Sequence, residues 1–66
     1  MDSRKKQLIE YFDELYSIEK GARDLYDDFI KKLKNPEHII IIKGIRDDEE
    51  KHMKIVKEII KIVEND

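Results

Sequence analysis

Apolar residues recur along this chain with the spacing of helices packed side by side. From Leu8 the steps run 4, 3, 4, 3, 4, 3, 4 through Phe12, Leu15, Glu19, Ala22, Tyr26, Phe29 and Leu33. A second series runs 3, 4, 3, 4, 3, 4 from Ile42 through Ile45, Glu49, His52, Val56, Ile59 and Val63. An α-helix turns once in about 3.6 residues, so alternating steps of three and four keep side chains on one face. Each series predicts one long amphipathic helix. Tyr11, Ile18 and Leu25 widen the first face, and Ile41, Met53, Ile55, Ile60 and Ile62 widen the second. A lone hairpin of two helices leaves part of such faces in water. A second hairpin covers them, which predicts an all-α fold: an antiparallel two-helix hairpin that dimerises into a four-helix bundle.

The break between the helices is marked. Asn35 is a strong N-cap, Pro36 suits the first helical position, and Glu37 lies near the positive end of the new helix dipole. The expected elements are helix 1 at about 3–34 and helix 2 at about 36–64, forming one domain over 1–66. Residues 39–42 are four consecutive isoleucines, a β-branched run that also suits a buried strand. The start signal before them and the heptad steps after them favour helix. Ile40 should then point away from the main seam, half-exposed or against a further subunit. Gly21 falls inside helix 1 at some cost in helix stability, for which close helix packing is the available reason.

Composition narrows the function. The chain has 66 residues, 45% of them charged and 39% hydrophobic, with formal net charge -2 and no Cys. Chains below about 70–80 residues bury little core and need a disulfide, a metal or a partner. The missing thiol excludes disulfides, Cys-based zinc or iron–sulfur centres and thiol catalysis. The near-neutral balance gives no basic footprint for nucleic acid. No apolar run exceeds residues 39–42, far short of the about 20 residues of a membrane span or the about 7–15 of a signal peptide. The expected compartment is the cytoplasm. Self-association and a metal held by carboxylates and imidazole remain as stabilising devices.

Three strongly polar residues interrupt the predicted seams: Glu19, Glu49 and His52. A carboxylate on a buried seam needs a partner. Glu49 and His52, three residues apart, project from one turn of one helix. Glu19 lies sixteen residues before Asn35, and Glu49 and His52 lie fourteen and seventeen after it. At about 1.5 Å per residue all three sit about 21–26 Å from the turn, at one level of the hairpin. Two-fold pairing brings four Glu and two His together. That is the donor set of a dinuclear carboxylate centre, with one Glu from each of two helices and Glu-x-x-His from each of the other two. An alternative for Glu19 is a buried ion pair with Lys or Arg. For Glu49 and His52 it is a surface pair within the acidic run 47–50.

The pattern Glu19-x-x-Ala22-x-x-x-Tyr26, followed by Glu49-x-x-His52, resembles half of a ferritin-like, rubrerythrin-type bundle. The spacing between the two Glu is also similar to that of encapsulated ferritin-like proteins, whose subunits each supply half a site. The resemblance spans roughly residues 15–63. It implies that Glu19 is a terminal ligand, that Glu49 bridges two metal ions, and that His52 is a terminal nitrogen ligand. It implies that Tyr26 forms a hydrogen bond near the site, although an ordinary core tyrosine fits the spacing equally. The implied cofactor is iron, two ions per dimer, with manganese or zinc suited to the same donors. The implied activity is oxidation of Fe(II) by dioxygen or peroxide, as ferroxidase or peroxide scavenger, with Glu19, Glu49, His52 and Tyr26 as the residues concerned. The implied partners are a second copy, or a higher even-numbered oligomer, and an encapsulin shell. No Cys-rich electron-transfer domain and no recognisable encapsulin-targeting tail accompany the pattern.

Two other classes fit the same residues: a metal-stapled structural dimer without catalysis, and a metal-free helical-hairpin interaction module. His38 reads as a capping or surface residue, about 21 Å along the helix from His52 and out of reach of the same ion. Lys54, Lys57 and Lys61 read as a solvated stripe, and Met53 as core.

Overall fold

The computed structural model describes residues 3–66. It contains two helices, α1 over Ser3–Lys32 and α2 over Pro36–Asn65, each of 30 residues. They pack against each other as an antiparallel hairpin whose Cα trace measures 51 × 14 × 10 Å. The isoleucines at 39–42 are helical, and no strand occurs among the described residues.

The link is built as its residues require. Asn35 has φ -79° and ψ 119°, the extended conformation imposed on a residue before proline. In that conformation its Oδ1 accepts the Glu37 N–H at 2.9 Å, and its carbonyl accepts the Ile39 N–H at 3.1 Å. Asn35 is therefore the N-cap of α2, with Pro36 in the first turn. Lys31 and Lys32 occupy the last turn of α1, where cations complement the helix dipole. Helix α1 stops two residues earlier than the periodicity predicts, because the chain must reach the extended Asn35. The α2 boundary agrees with expectation to one residue.

The phase of the helix contact differs from the predicted seams. The positions of α1 turned toward α2 are Ile9, Phe12, Tyr16, Glu19, Arg23, Tyr26 and Ile30, continued in the link by Leu33, all half-buried. On α2 they are Ile39, Ile42, Arg46, Glu49, Met53, Val56, Ile60 and Val63. Met53 and Val56, at 6% and 5% exposure, are the buried core among the described residues. The predicted seams shared half of these positions. Of their other half, Leu8, Phe29, Ile45 and His52 are exposed, while Leu15, Ala22 and Ile59 are half-buried at the edge of the contact.

A second stripe runs beside each inner seam, one residue back. On α1 it comprises Leu8, Tyr11, Leu15, Ile18, Ala22, Leu25 and Phe29; on α2 it comprises His38, Ile41, Ile45, Asp48, His52, Ile55, Ile59 and Ile62. One residue is a rotation of about 100°. In antiparallel helices that rotation runs in opposite senses, so both stripes reach the same side of the hairpin. The result is one continuous apolar face, with Ile18 68%, Leu25 66% and Ile62 67% exposed. A patch running the length of the molecule is larger than monomeric proteins ordinarily expose.

The opposite side is charged and cross-linked. Arg46 Nη1 pairs with Asp27 at 2.9 Å, and Arg23 Nη1 with Glu50 at 3.8 Å. Lys57 Nζ lies 5.1 Å from the centre of the Tyr16 ring, and Lys5 Nζ donates to the Asp66 carbonyl at 3.0 Å across the open end. No described helix is long and apolar enough to cross a membrane. Ile40 is exposed on the outer surface of α2, as its position predicts. Close packing does not explain Gly21: a Cβ there, or at Gly44, has no neighbour within 4 Å.

Candidate metal centre

Glu19, Glu49 and His52 converge. One ligand atom from each lies within 4.8 Å of the others, and no other group of three or more potential ligands forms among the described residues. The helices place them by simple register. Glu19 and Glu49 occupy inner-seam positions at equal distance from the link, so they face each other across the hairpin. His52 stands one turn beyond Glu49 and one stripe outward, on the exposed apolar face. Expected inside, His52 is at the surface of the single chain. The cluster therefore has two half-buried carboxylates at its base and an imidazole at its mouth.

Its height is particular. The midpoint of Ser3–Lys32 falls between residues 17 and 18, and that of Pro36–Asn65 between 50 and 51. Glu19 lies beside the first midpoint, and Glu49 and His52 straddle the second. The cluster is thus at the centre of the apolar face along its length.

The electrostatics leave one group unmet. Glu19 Oε2 is buried and has no hydrogen-bond partner. No ion pair reaches Glu19 among the described residues, so the salt bridge considered from sequence is not formed. A buried acceptor without a donor costs about 1–3 kcal/mol. A cation between Glu19, Glu49 and His52 removes that cost. Donors about 2.0–2.2 Å from one ion lie about 3.0–3.6 Å apart in tetrahedral or octahedral arrangements. The 4.8 Å limit exceeds that span by about 1–2 Å, so the three ligand atoms must draw closer to share one ion. Two carboxylates and an imidazole suit Fe, Mn and Zn.

Tyr26 is not in this cluster. It is half-buried on the inner seam, seven residues from Glu19 toward the link, about 10 Å along the helix. No hydrogen bond joins it to the three ligands among the described residues. His38 is exposed near the link, away from the cluster.

Arg23 and Arg46 are the charged residues among the seam positions that the predicted phase missed. Each sits one turn from a ligand, Arg23 after Glu19 and Arg46 before Glu49, yet neither pairs with it. Arg23 donates to Asp24 at 2.9 Å, and Arg46 to Asp27 at 2.9 Å and Asp47 at 3.0 Å. These side-chain hydrogen bonds, Asp24 for Arg23 and Asp27 then Asp47 for Arg46, hold both guanidiniums above their ordinary arginine value. Their aliphatic stems lie along the seam while their charged ends reach the polar side. The signal for them was present: Ile9, Tyr16, Arg23 and Ile30 repeat every seven residues, as do Ile39, Arg46, Met53 and Ile60.

No protein-family model, curated protein or solved structure matches this chain. The functional reading stands on the site and the surface around it.

Proposed function

We propose that two copies of this hairpin join through their apolar faces into a ferritin-like four-helix bundle that holds two iron ions, and that the protein oxidises Fe(II) with dioxygen or peroxide. The observation that carries this reading is the buried, unpartnered Glu19 Oε2, set among Glu49 and His52 at the centre of that face. Each copy offers three donors. Two apposed copies offer four carboxylates and two imidazoles, enough for a pair of ions and a bridging carboxylate. In this assembly Glu19 is a terminal ligand, Glu49 the bridging ligand and His52 the terminal nitrogen ligand.

Iron in such a centre supplies one-electron chemistry, Fe(II) giving up an electron as the oxidant is reduced. The chain's own residues hold the ions close and exclude bulk water with the surrounding isoleucines and leucines. Tyr26, about 10 Å along α1 from Glu19, takes no part in ligation. The direct test is metal content on protein purified without chelator, followed by Fe(II) oxidation in air. One ion per chain and a rate above buffer, saturating with the number of dinuclear sites, is the expected result. Absence of bound metal at neutral pH overturns the reading.

A second reading is favoured by the size of the core. With only Met53 and Val56 buried among the described residues, a metal that mainly staples the dimer has an evident use. Iron bound at full stoichiometry but oxidised no faster than in buffer selects it.

A further inference from the structure

The polar side of the hairpin is not uniform along its length. Toward the link its arginine is saturated: Arg46 reaches Asp27 at 2.9 Å and Asp47 at 3.0 Å, so two carboxylates meet one guanidinium. At mid-height and toward the open end the balance reverses. A groove of about 340 Å³ lies there between the helices, lined by Tyr16 and Arg23 of α1 and by Glu50, Met53, Lys54 and Lys57 of α2. Three cations and one carboxylate line it, in a chain whose formal net charge is -2. These cations are not used up within the fold. Lys54 stands four residues after Glu50 and four before Glu58, spacings at which helical ion pairs form. It pairs with neither among the described residues. Lys57 makes no ion pair there either, and its Nζ is drawn in to 5.1 Å from the centre of the Tyr16 ring. Arg23 gives Nε and Nη2 to Asp24 at 3.2 and 2.9 Å, while its Nη1 stays 3.8 Å from Glu50, beyond hydrogen-bond reach.

We propose that this groove binds a phosphate group, free or as a monoester. Arg23 Nη1, Lys54 Nζ and Lys57 Nζ are three donor groups along one groove, and none has a hydrogen-bond acceptor among the described residues. A phosphate, near two negative charges with three acceptor oxygens, matches three separated cations better than a carboxylate does. The walls supply the rest of a small-ligand site. The Tyr16 ring and the buried Met53 form an apolar floor beside the cations. The volume stands at the small end of the about 300–1,000 Å³ of ligand pockets. Glu50 is the one lining group that opposes an anion. Bound phosphate competes with it for Arg23 Nη1, and a solvated pair 3.8 Å apart yields readily. Neither the metal cluster nor a second copy takes part.

The test is a titration of the full chain, stripped of metal with chelator and dialysed, with inorganic phosphate and with phenyl phosphate. Ionic strength is held constant with chloride, and amide shifts are followed by nuclear magnetic resonance. Saturable shifts around Tyr16, Arg23, Lys54 and Lys57 are expected, with a Kd of about 1 mM for inorganic phosphate. Lys54→Gln and Lys57→Gln should each weaken binding about two- to fivefold, and Glu50→Gln should strengthen it by about the same factor. All three positions are exposed, so the circular dichroism spectrum should not change. Tighter binding of phenyl phosphate upholds the site and identifies an ester as its ligand; equal or weaker binding upholds it for free phosphate. Shifts that do not saturate, that survive both lysine substitutions, or that weaken in Glu50→Gln overturn it. That failure leaves the metal reading standing.

Discussion

Replacing Glu19 with leucine should make the metal-free protein more stable and the metal-loaded protein no better than the metal-free one. Glu19 Oε2 is a buried acceptor with no donor. Removing such a group recovers about 1–3 kcal/mol per chain. For a chain of this length about 1 kcal/mol moves the melting temperature by about 4–8 °C, so the metal-free variant should melt roughly 5–20 °C above wild type. Metal acts in the opposite direction on the comparison. Zinc at about 100 times its Kd stabilises a binding-competent fold by about 2.7 kcal/mol per site, an upward shift of roughly 10–20 °C for wild type. The variant keeps only Glu49 and His52 in each copy and should shift little. Zinc is the suitable probe because it accepts N and O donors and has no redox chemistry. The assay is circular dichroism melting at one fixed protein concentration, with chelator and with zinc, for wild type, Glu19→Leu and Glu19→Gln. The glutamine variant separates the effects: it should lose the zinc shift without the large metal-free gain. A metal-free Glu19→Leu that melts below wild type would show that Glu19 is engaged in the fold. A zinc shift equal to that of wild type would show that Glu19 is no ligand.

Other expectations follow from the same geometry. In the proposed assembly Glu49→Ala should abolish paired-metal binding, because it removes the donor assigned to both ions, whereas His52→Ala should weaken binding and leave the helices intact; isothermal titration with zinc and a circular dichroism spectrum check both. If the proposed dimer forms, Ile18→Lys, which places a charge at the centre of the apolar face, should leave a monomer by light scattering at micromolar concentration, with lowered and no longer concentration-dependent melting. Gly44→Ala should stabilise by about 0.8–1 kcal/mol, since a helical Gly is replaced where a Cβ meets nothing within 4 Å; a loss of stability in a chemical denaturation curve would mean that another subunit packs there. Arg23 and Arg46, held above their ordinary value by hydrogen bonds to Asp24 and to Asp27, contribute fully below the ordinary arginine range and lose that contribution only above it. Between about pH 6 and 9 these guanidiniums keep their charge, so raising salt toward about 1 M, where screening acts within about 3 Å, should weaken their pairs more than pH does.

Much of the hairpin is legible in the chain itself. Asn35, Pro36 and Glu37 specify a helix start by local chemistry: a side-chain acceptor, a fixed φ and a charge that suits the dipole. These need no tertiary partner, so the N-cap bond from Glu37 to Asn35 is where the sequence predicts it. The same start signal explains why residues 39–42 are helical despite their β-branching. The common level of Glu19, Glu49 and His52 follows from the rise per residue alone. Once the link is placed, equal counting along two straight antiparallel helices brings the three together.

What the sequence alone left open is the phase, meaning which of two overlapping stripes turns inward. Phe12, Glu19, Tyr26 and Leu33 belong to both the predicted and the observed seam of α1. Leu8, Leu15, Ala22 and Phe29 compete with Ile9, Tyr16, Arg23 and Ile30 for the remaining places. Hydrophobicity favours the first set, which contains no charge. The tertiary structure half-buries the whole second set. Of the first, it exposes Leu8 and Phe29 while leaving Leu15 and Ala22 half-buried at the edge. The second set is admitted because the guanidiniums of Arg23 and Arg46 extend past the seam to Glu50 and Asp27 on the polar side. That partner arrangement exists only when two helices are side by side, so no periodicity in one helix reveals it. The choice has one consequence for the site. It turns His52, with Leu8, Ile18, Ile55 and Ile62, outward onto a continuous apolar face, while Glu19 Oε2 stays buried behind it.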